Sequence, residues 1–135
     1  MQVPYVLMHM RGTPATMQQH TNYGNLFADV VAELSQQLRR LTDLGVHDVI
    51  IDPGFGFAKT LEQNYELFAR LAEFSIFNRP VLVGISRKSM IYKLFGITSE
   101  QSLSATAALN MLALQSGASI LRVHDVPEAV QVVKM

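Results

Sequence analysis

Four short stretches gather the side chains able to do chemistry: MHMRGTPATMQ, DPGFGFAKT, GISRKSMI and RVHDV. They hold His9, Arg11, Asp52, Lys59, Ser86, Arg87, Lys88, Arg122, His124 and Asp125. One carboxylate, a lysine and an arginine around Phe57 and methionines suit a flat heterocycle with an anionic attachment. A carboxylate accepts paired N–H bonds from a guanidine-like ring edge, a lysine donates to a ring carbonyl, and an arginine stacks on a ring face. Charge-assisted bonds of this kind contribute on the order of 1.5–3 kcal/mol each. Arg122 and His124 alternate along one apolar run, so in a strand both point to the same side and can hold one phosphate.

Each stretch also has a plainer reading. Asp52 can cap a turn through its own side chain, with Gly54 and Gly56 supplying backbone freedom. Ser86, Arg87 and Lys88 can be a helix N-terminus with solvated cations. Arg122 and His124 can form an ion pair with Asp125 or Asp52. Other chemistries fit less well. Ala58 stands where a Walker A loop requires glycine before lysine, and two glycines after a strand do not make a dinucleotide site. No GxSxG elbow and no HExxH spacing occurs. His20 and His47 fall in loop-like contexts, and Met8, Met10, Met17, Met90 and Met111 read more readily as core fillers than as ligands.

The elements that must carry these residues follow from hydrophobic period. Val3 to Met10, Asp48 to Ile51, Val81 to Ile85 and Ile120 to Val123 read as strands. VIID and VLVGI are almost continuously apolar, as parallel strands buried on both faces are. Helical spacing covers Asn25 to Leu44, where Leu26, Val30, Leu34, Leu38 and Leu41 form one stripe and Glu33, Gln37, Arg40 and Asp43 lie elsewhere. Further helices are predicted over Leu61 to Phe74, Ser89 to Phe95 and Gln101 to Gln115, and from Pro127 toward Lys134. Successive exits lie 41, 34 and 38 residues apart (Arg11, Asp52, Ser86, His124). Units of that length make right-handed parallel crossovers, in either a doubly wound sheet or a (β/α) barrel. All the polar stretches fall at the carboxyl ends of the strands, where such folds keep their sites. The opposite ends carry VPY, VHD, NRP and GAS, which are ordinary turns.

The 135 residues suit one domain, and with 49% hydrophobic residues they can build a substantial core. A formal net charge of zero lacks the positive field that nucleic-acid binding uses. The absence of cysteine excludes disulfides and thiolate metal sites and fits a reducing compartment. The start, MQVPYVLMHM, lacks the basic region and cleavage site of a signal peptide, and no apolar stretch approaches the roughly 20 residues of a membrane span. The expectation is a cytoplasmic chain with no nucleic-acid or membrane partner.

In order and spacing, the four stretches resemble dihydropteroate synthase over essentially the whole chain. The resemblance implies an α/β fold, a (β/α)8 TIM barrel. Such a barrel takes about 250 residues, so this chain would be its C-terminal half: a partial pterin-binding domain over 1–135 with the last four parallel βα units. It implies a transferase of folate biosynthesis that condenses 4-aminobenzoate with 6-hydroxymethyl-7,8-dihydropterin diphosphate and releases diphosphate, with magnesium as cofactor. Asp52 would bind the aminopyrimidine edge of the pterin and Lys88 its carbonyl side. Arg122 would stack over the ring and, with His124, hold the diphosphate. Met8 and Phe57 would be apolar walls, Gly84 would leave room for the ring, and Ser86 would touch the aminobenzoate end. Lys88, Arg122 and His124 are the catalytic candidates, stabilising the departing diphosphate and a carbocation-like centre. No metal ligand is assigned here, because the family's first-strand asparagine has no counterpart in this sequence. Two flexible loops over aminobenzoate and further pterin contacts are also missing. The chain alone is therefore expected to be inactive, to bind pterin weakly at most, and to self-associate as a homo-oligomer or dimer through exposed edges. Sulfonamides are implied as further ligands. A pterin-binding methyltransferase domain and a non-catalytic pterin-binding fragment remain alternatives. A sugar-phosphate barrel half is disfavoured because SRKS stands where a glycine-rich phosphate loop is usual.

Overall fold

A computed structural model describes residues 2–135. Its elements run β1 (Tyr5–Met8), α1 (Leu26–Asp43), β2 (Val49–Asp52), α2 (Leu61–Ala69), β3 (Leu82–Val83), α3 (Ser89–Phe95), α4 (Leu103–Gln115), β4 (Ile120–Leu121) and α5 (Val126–Lys134). β1 pairs with β2 and β3 with β4, both in parallel. A parallel bridge between Ile51 and Val81 joins the two pairs, so the strands lie side by side in chain order.

Register decides which side chains share a face. Val6 stands beside Ile50, Met8 beside Asp52, and Leu82 beside Ile120. The alternate residues Leu7, Val49, Ile51, Val81, Val83 and Ile85 point the other way. They meet Phe27, Val30 and Leu34 of α1, Leu67 and Phe68 of α2, and Met90 and Ile91 of α3 in one apolar cluster. One face of the sheet is thus packed under helices. The other carries Asp52, and on it Val6 is 44% and Ile120 36% exposed.

The helix ends follow their local chemistry. Asn25 caps α1 by accepting the amide of Ala28. Thr60 and Gln63 form a reciprocal capping box that starts α2. Pro127 opens α5 in its first turn, as predicted.

Two expectations change. The helix read over Leu61 to Phe74 stops at Ala69, and a 3-10 segment runs over Leu71–Phe77. Leu71, Phe74 and Phe77 lie three apart, and three residues per turn stacks them on one side. Leu71 and Phe74 are buried as a result. The strands are also shorter than their apolar runs. At β4 the ladder ends because the amide of His124 turns to the Ser86 hydroxyl (3.1 Å) instead of a main-chain carbonyl.

Candidate functional site

β2 ends on Asp52, whose side chain is 1% exposed. Its Oδ1 accepts the Gly54 amide at 2.9 Å. Its Oδ2 is buried with no hydrogen-bond partner among the described residues; the Arg122 guanidinium approaches to 3.8 Å. Burial raises the Asp52 pKa, opposed by the Gly54 amide and by Arg122, Lys88 and Lys59. A buried carboxylate oxygen without a donor calls for one.

Two cations from the neighbouring strand exits face it. Lys88, at the start of α3, donates to the Phe55 carbonyl at 2.6 Å and lies 4.8 Å from the Phe57 ring centre. Burial first, then Arg122, lowers its pKa to about 8. Arg122 reaches Asp52 by lying across β3 at Gly84. A Cβ on Gly84 would stand 2.6 Å from the guanidinium, so only glycine lets the arginine lie there. The room that Gly84 was expected to leave for a ring is occupied by Arg122 itself.

Two residues of the rim are engaged within the chain. Ser86 is buried, and its hydroxyl is engaged by the His124 amide and ring Nδ1 (3.1 and 3.0 Å). It ties the β4 exit to the β3 exit before any ligand arrives. Asp125 accepts from two of the three Arg87 guanidinium nitrogens, Nε and Nη2, and of the two acids that could pair with Arg122 it is Asp52 that does. Arg87 takes a left-handed φ of +55°, held in place by that pair and by Thr106. His124 is exposed beside Arg122. Met8 is partly buried beside Asp52 in the register, and Phe57 is partly buried against Lys88.

The loop between Asp52 and Thr60 is built around Lys59. Gly54 has φ +77°, and a Cβ there would lie 2.0 Å from the His9 carbonyl, so the chain passes hard against the β1 exit. Lys59 is 3% exposed and donates to His9 Nδ1 (2.9 Å), the Gly54 carbonyl (2.9 Å) and the Phe57 carbonyl (3.0 Å). His9 Nε2 meets Glu33 Oε2 at 2.6 Å, and Arg11 Nε donates to the other Glu33 oxygen at 2.8 Å. Glu33 reads in sequence as a solvent-facing helix residue, and its role is missed for that reason. Asn64 accepts the Gly56 amide, and Tyr23 donates to the Ala58 carbonyl. His20 and His47 are exposed loop residues, as expected.

No group of three or more His, Asp or Glu side chains among the described residues is placed to hold a metal ion. The acidic residue in the site has one oxygen already committed to Gly54. The residues of this chain do not fit a magnesium site of their own.

A sequence profile described as "Pterin binding enzyme" matches residues 1–124. The dihydropteroate synthase of Escherichia coli (strain K12) is 45% identical over 135 residues, which take in 98% of this chain and 48% of that protein. A Yersinia pestis dihydropteroate synthase in complex with a sulfonamide drug superposes with TM-score 0.95 at 38% identity, covering 98% of this chain and 49% of the other. The Thermus thermophilus enzyme, solved in complex with 6HMPPP and with 4-aminobenzoate, gives TM-score 0.94 at 41% identity, with 98% of this chain covered and 54–55% of the others. The chain spans about half the length of these relatives. No helix among the described residues is long and apolar enough to cross a membrane. With a buried acid between two cations at the strand exits and a profile match over 124 of its residues, the chain belongs to the pterin-binding enzyme family and is similar to dihydropteroate synthases.

Proposed function

We propose that this chain carries the pterin-binding half of a dihydropteroate synthase, the last four βα units of a (β/α)8 barrel in one domain over 1–135. The observation that carries the reading is the buried, donor-less Asp52 Oδ2 flanked by Lys88 and Arg122. A pterin supplies the complement: an aminopyrimidine edge with paired N–H donors for the acid and a ring carbonyl for the lysine. The relatives solved with 6HMPPP, 4-aminobenzoate and a sulfonamide support the substrate class.

In the full reaction the amine nitrogen of 4-aminobenzoate attacks the pterin methylene carbon. The C–O bond to diphosphate breaks, a C–N bond forms, and the amine proton passes to the departing diphosphate or to water. Asp52 and Lys88 orient the ring against Met8 and Phe57. Arg122 leaves Gly84 to stack on the ring face, and with His124 it meets the leaving diphosphate. Charge is stabilised as it develops, without covalent attack by the protein. Magnesium would neutralise diphosphate when bound; because the residues here do not fit it, no step is assigned to it. Ser86 holds the His124 ring that meets the diphosphate, and lies toward the aminobenzoate end.

Calorimetry with 6-hydroxymethylpterin and a diphosphate-release assay with 4-aminobenzoate test the proposal together. Weak pterin binding without turnover is expected of the chain alone. Turnover at the rate of a whole enzyme would overturn the inactivity, and failure to bind pterin at millimolar concentration would overturn the assignment. A methyltransferase reading predicts binding of a methylated pterin in preference and no diphosphate release.

The same reading predicts self-association. The outer edges of β1 and β4 have no strand partner among the described residues, and Tyr5, Val6 and Ile120 are exposed beside them. Two copies with four parallel strands each can close a shared eight-stranded sheet. Sedimentation at tens of micromolar should give at least twice the 15.0 kDa chain mass. A single 15.0 kDa species would refute it.

A further inference from the structure

We infer that Lys59, through its bonds to His9, Gly54 and Phe57, is a positioning residue that locks the loop after β2 into the shape a flat ring needs. The inference rests on the proposed pterin site and adds a residue that touches no ligand. An ammonium has three N–H donors, and Lys59 has three acceptors within 2.9–3.0 Å. Because Nδ1 of His9 accepts, the His9 proton sits on Nε2 and points to Glu33. Burial, reinforced by Lys59, lowers the His9 pKa to about 4, which keeps the imidazole neutral in that tautomer. The lysine, imidazole, Glu33 and Arg11 thus form one chain of bonds from the loop to the β1 exit.

The held carbonyls explain why a lysine is needed. Gly54 and Phe57 bracket Phe55, whose own carbonyl receives Lys88. Gly54 also gives its amide to Asp52. Fixing the Gly54 and Phe57 carbonyls on one ammonium therefore sets both the Asp52 carboxylate and the anchor of Lys88. Buried carbonyls that lose their donor must find another or move.

Lys59→Met keeps side-chain length and removes the donors. Amide exchange of residues 54–58 should quicken at least tenfold while α1 peptides stay unchanged, and affinity for 6-hydroxymethylpterin should fall about tenfold. Unchanged exchange in a folded variant would overturn the inference. The wild-type chain supplies a second readout if the variant does not fold. Burial lowers Lys59 to about 7, and the charged groups around it are Arg11 from the β1 exit, Glu33 from α1, Asp52 from β2 and Lys88 from α3, with neutral His9. The Phe55 and Ala58 amide nitrogens, which follow the two held carbonyls, should titrate together near pH 7. The Gly56 nitrogen should follow Lys88 near pH 8. Phe55 and Ala58 signals flat from about pH 5 to about pH 9 would also overturn it. A wild-type chain that shows the loop titration yet binds no pterin would instead discard the ligand assignment and leave Lys59 as the holder of the loop.

Discussion

Asp52→Asn is expected to weaken pterin binding at least a hundredfold while making the chain harder to unfold. The asparagine oxygen can keep the Gly54 amide bond, but its NH2 then faces ring N–H groups donor to donor. Loss of two charge-assisted bonds is worth a few kcal/mol, and every ~1.4 kcal/mol is tenfold in affinity. Stability moves the other way. The native carboxyl has a pKa raised above the usual 3.8 by burial, so above pH 3.8 the unfolded chain releases a proton that the native chain keeps. Stability therefore falls as pH rises from 3.8 through the raised native value, and asparagine is spared that loss. The gain over wild type should be absent below pH 3.8 and greatest at neutral pH. Calorimetry with 6-hydroxymethylpterin and urea unfolding check the two signs. Affinity within threefold of wild type would remove Asp52 from the site, and a less stable variant at pH 7 would make it a structural residue.

The largest stability effect is expected at Phe74→Ala. Phe74 is fully buried and packs edge-on to Phe27 (centroids 5.5 Å apart, 81°) and stacked on Phe77 (6.1 Å, 28°). Truncating such a ring costs about 3–5 kcal/mol, set against a total of about 5–15 kcal/mol for an ordinary domain. Thermal unfolding followed by circular dichroism should show a large fall in Tm or no cooperative transition. Phe95→Ala, at a ring 59% exposed, should stay within about 0.5 kcal/mol. Equal effects at the two phenylalanines would place Phe74 outside the core.

Much of this was legible in the sequence because period and punctuation agree there. Continuous apolar runs marked the parallel strands, and the polar residues at their exits marked the end where Asp52, Lys88 and Arg122 come together. Alternation predicted Arg122 and His124 on one side; both lie past the end of β4 at Leu121, and both are exposed. What stayed hidden depends on partners far along the chain. The Arg87–Asp125 pair spans 38 residues and the Lys59–His9 bond 50. Glu33 lies off the apolar stripe of α1 and reads as a solvated charge until β1 brings His9 and Arg11 to it. Leu71, Phe74 and Phe77 show their three-residue spacing openly, yet over so short a stretch it merges with the α-helical pattern. The Ser86 hydroxyl gave no hint that His124 would claim it.

The clamped loop after β2 has a consequence for how a ligand arrives. With the carbonyls of Gly54 and Phe57 held by Lys59 of the same loop, and those of Phe55 and Ala58 by the distant Lys88 and Tyr23, little backbone freedom remains there to lose. Association on that floor then proceeds without an ordering penalty, and ring recognition is a matter of shape already cast. The adjustment that remains falls to Arg122, half-exposed and 3.8 Å from Asp52, which must leave its place over Gly84 for a ring to lie there.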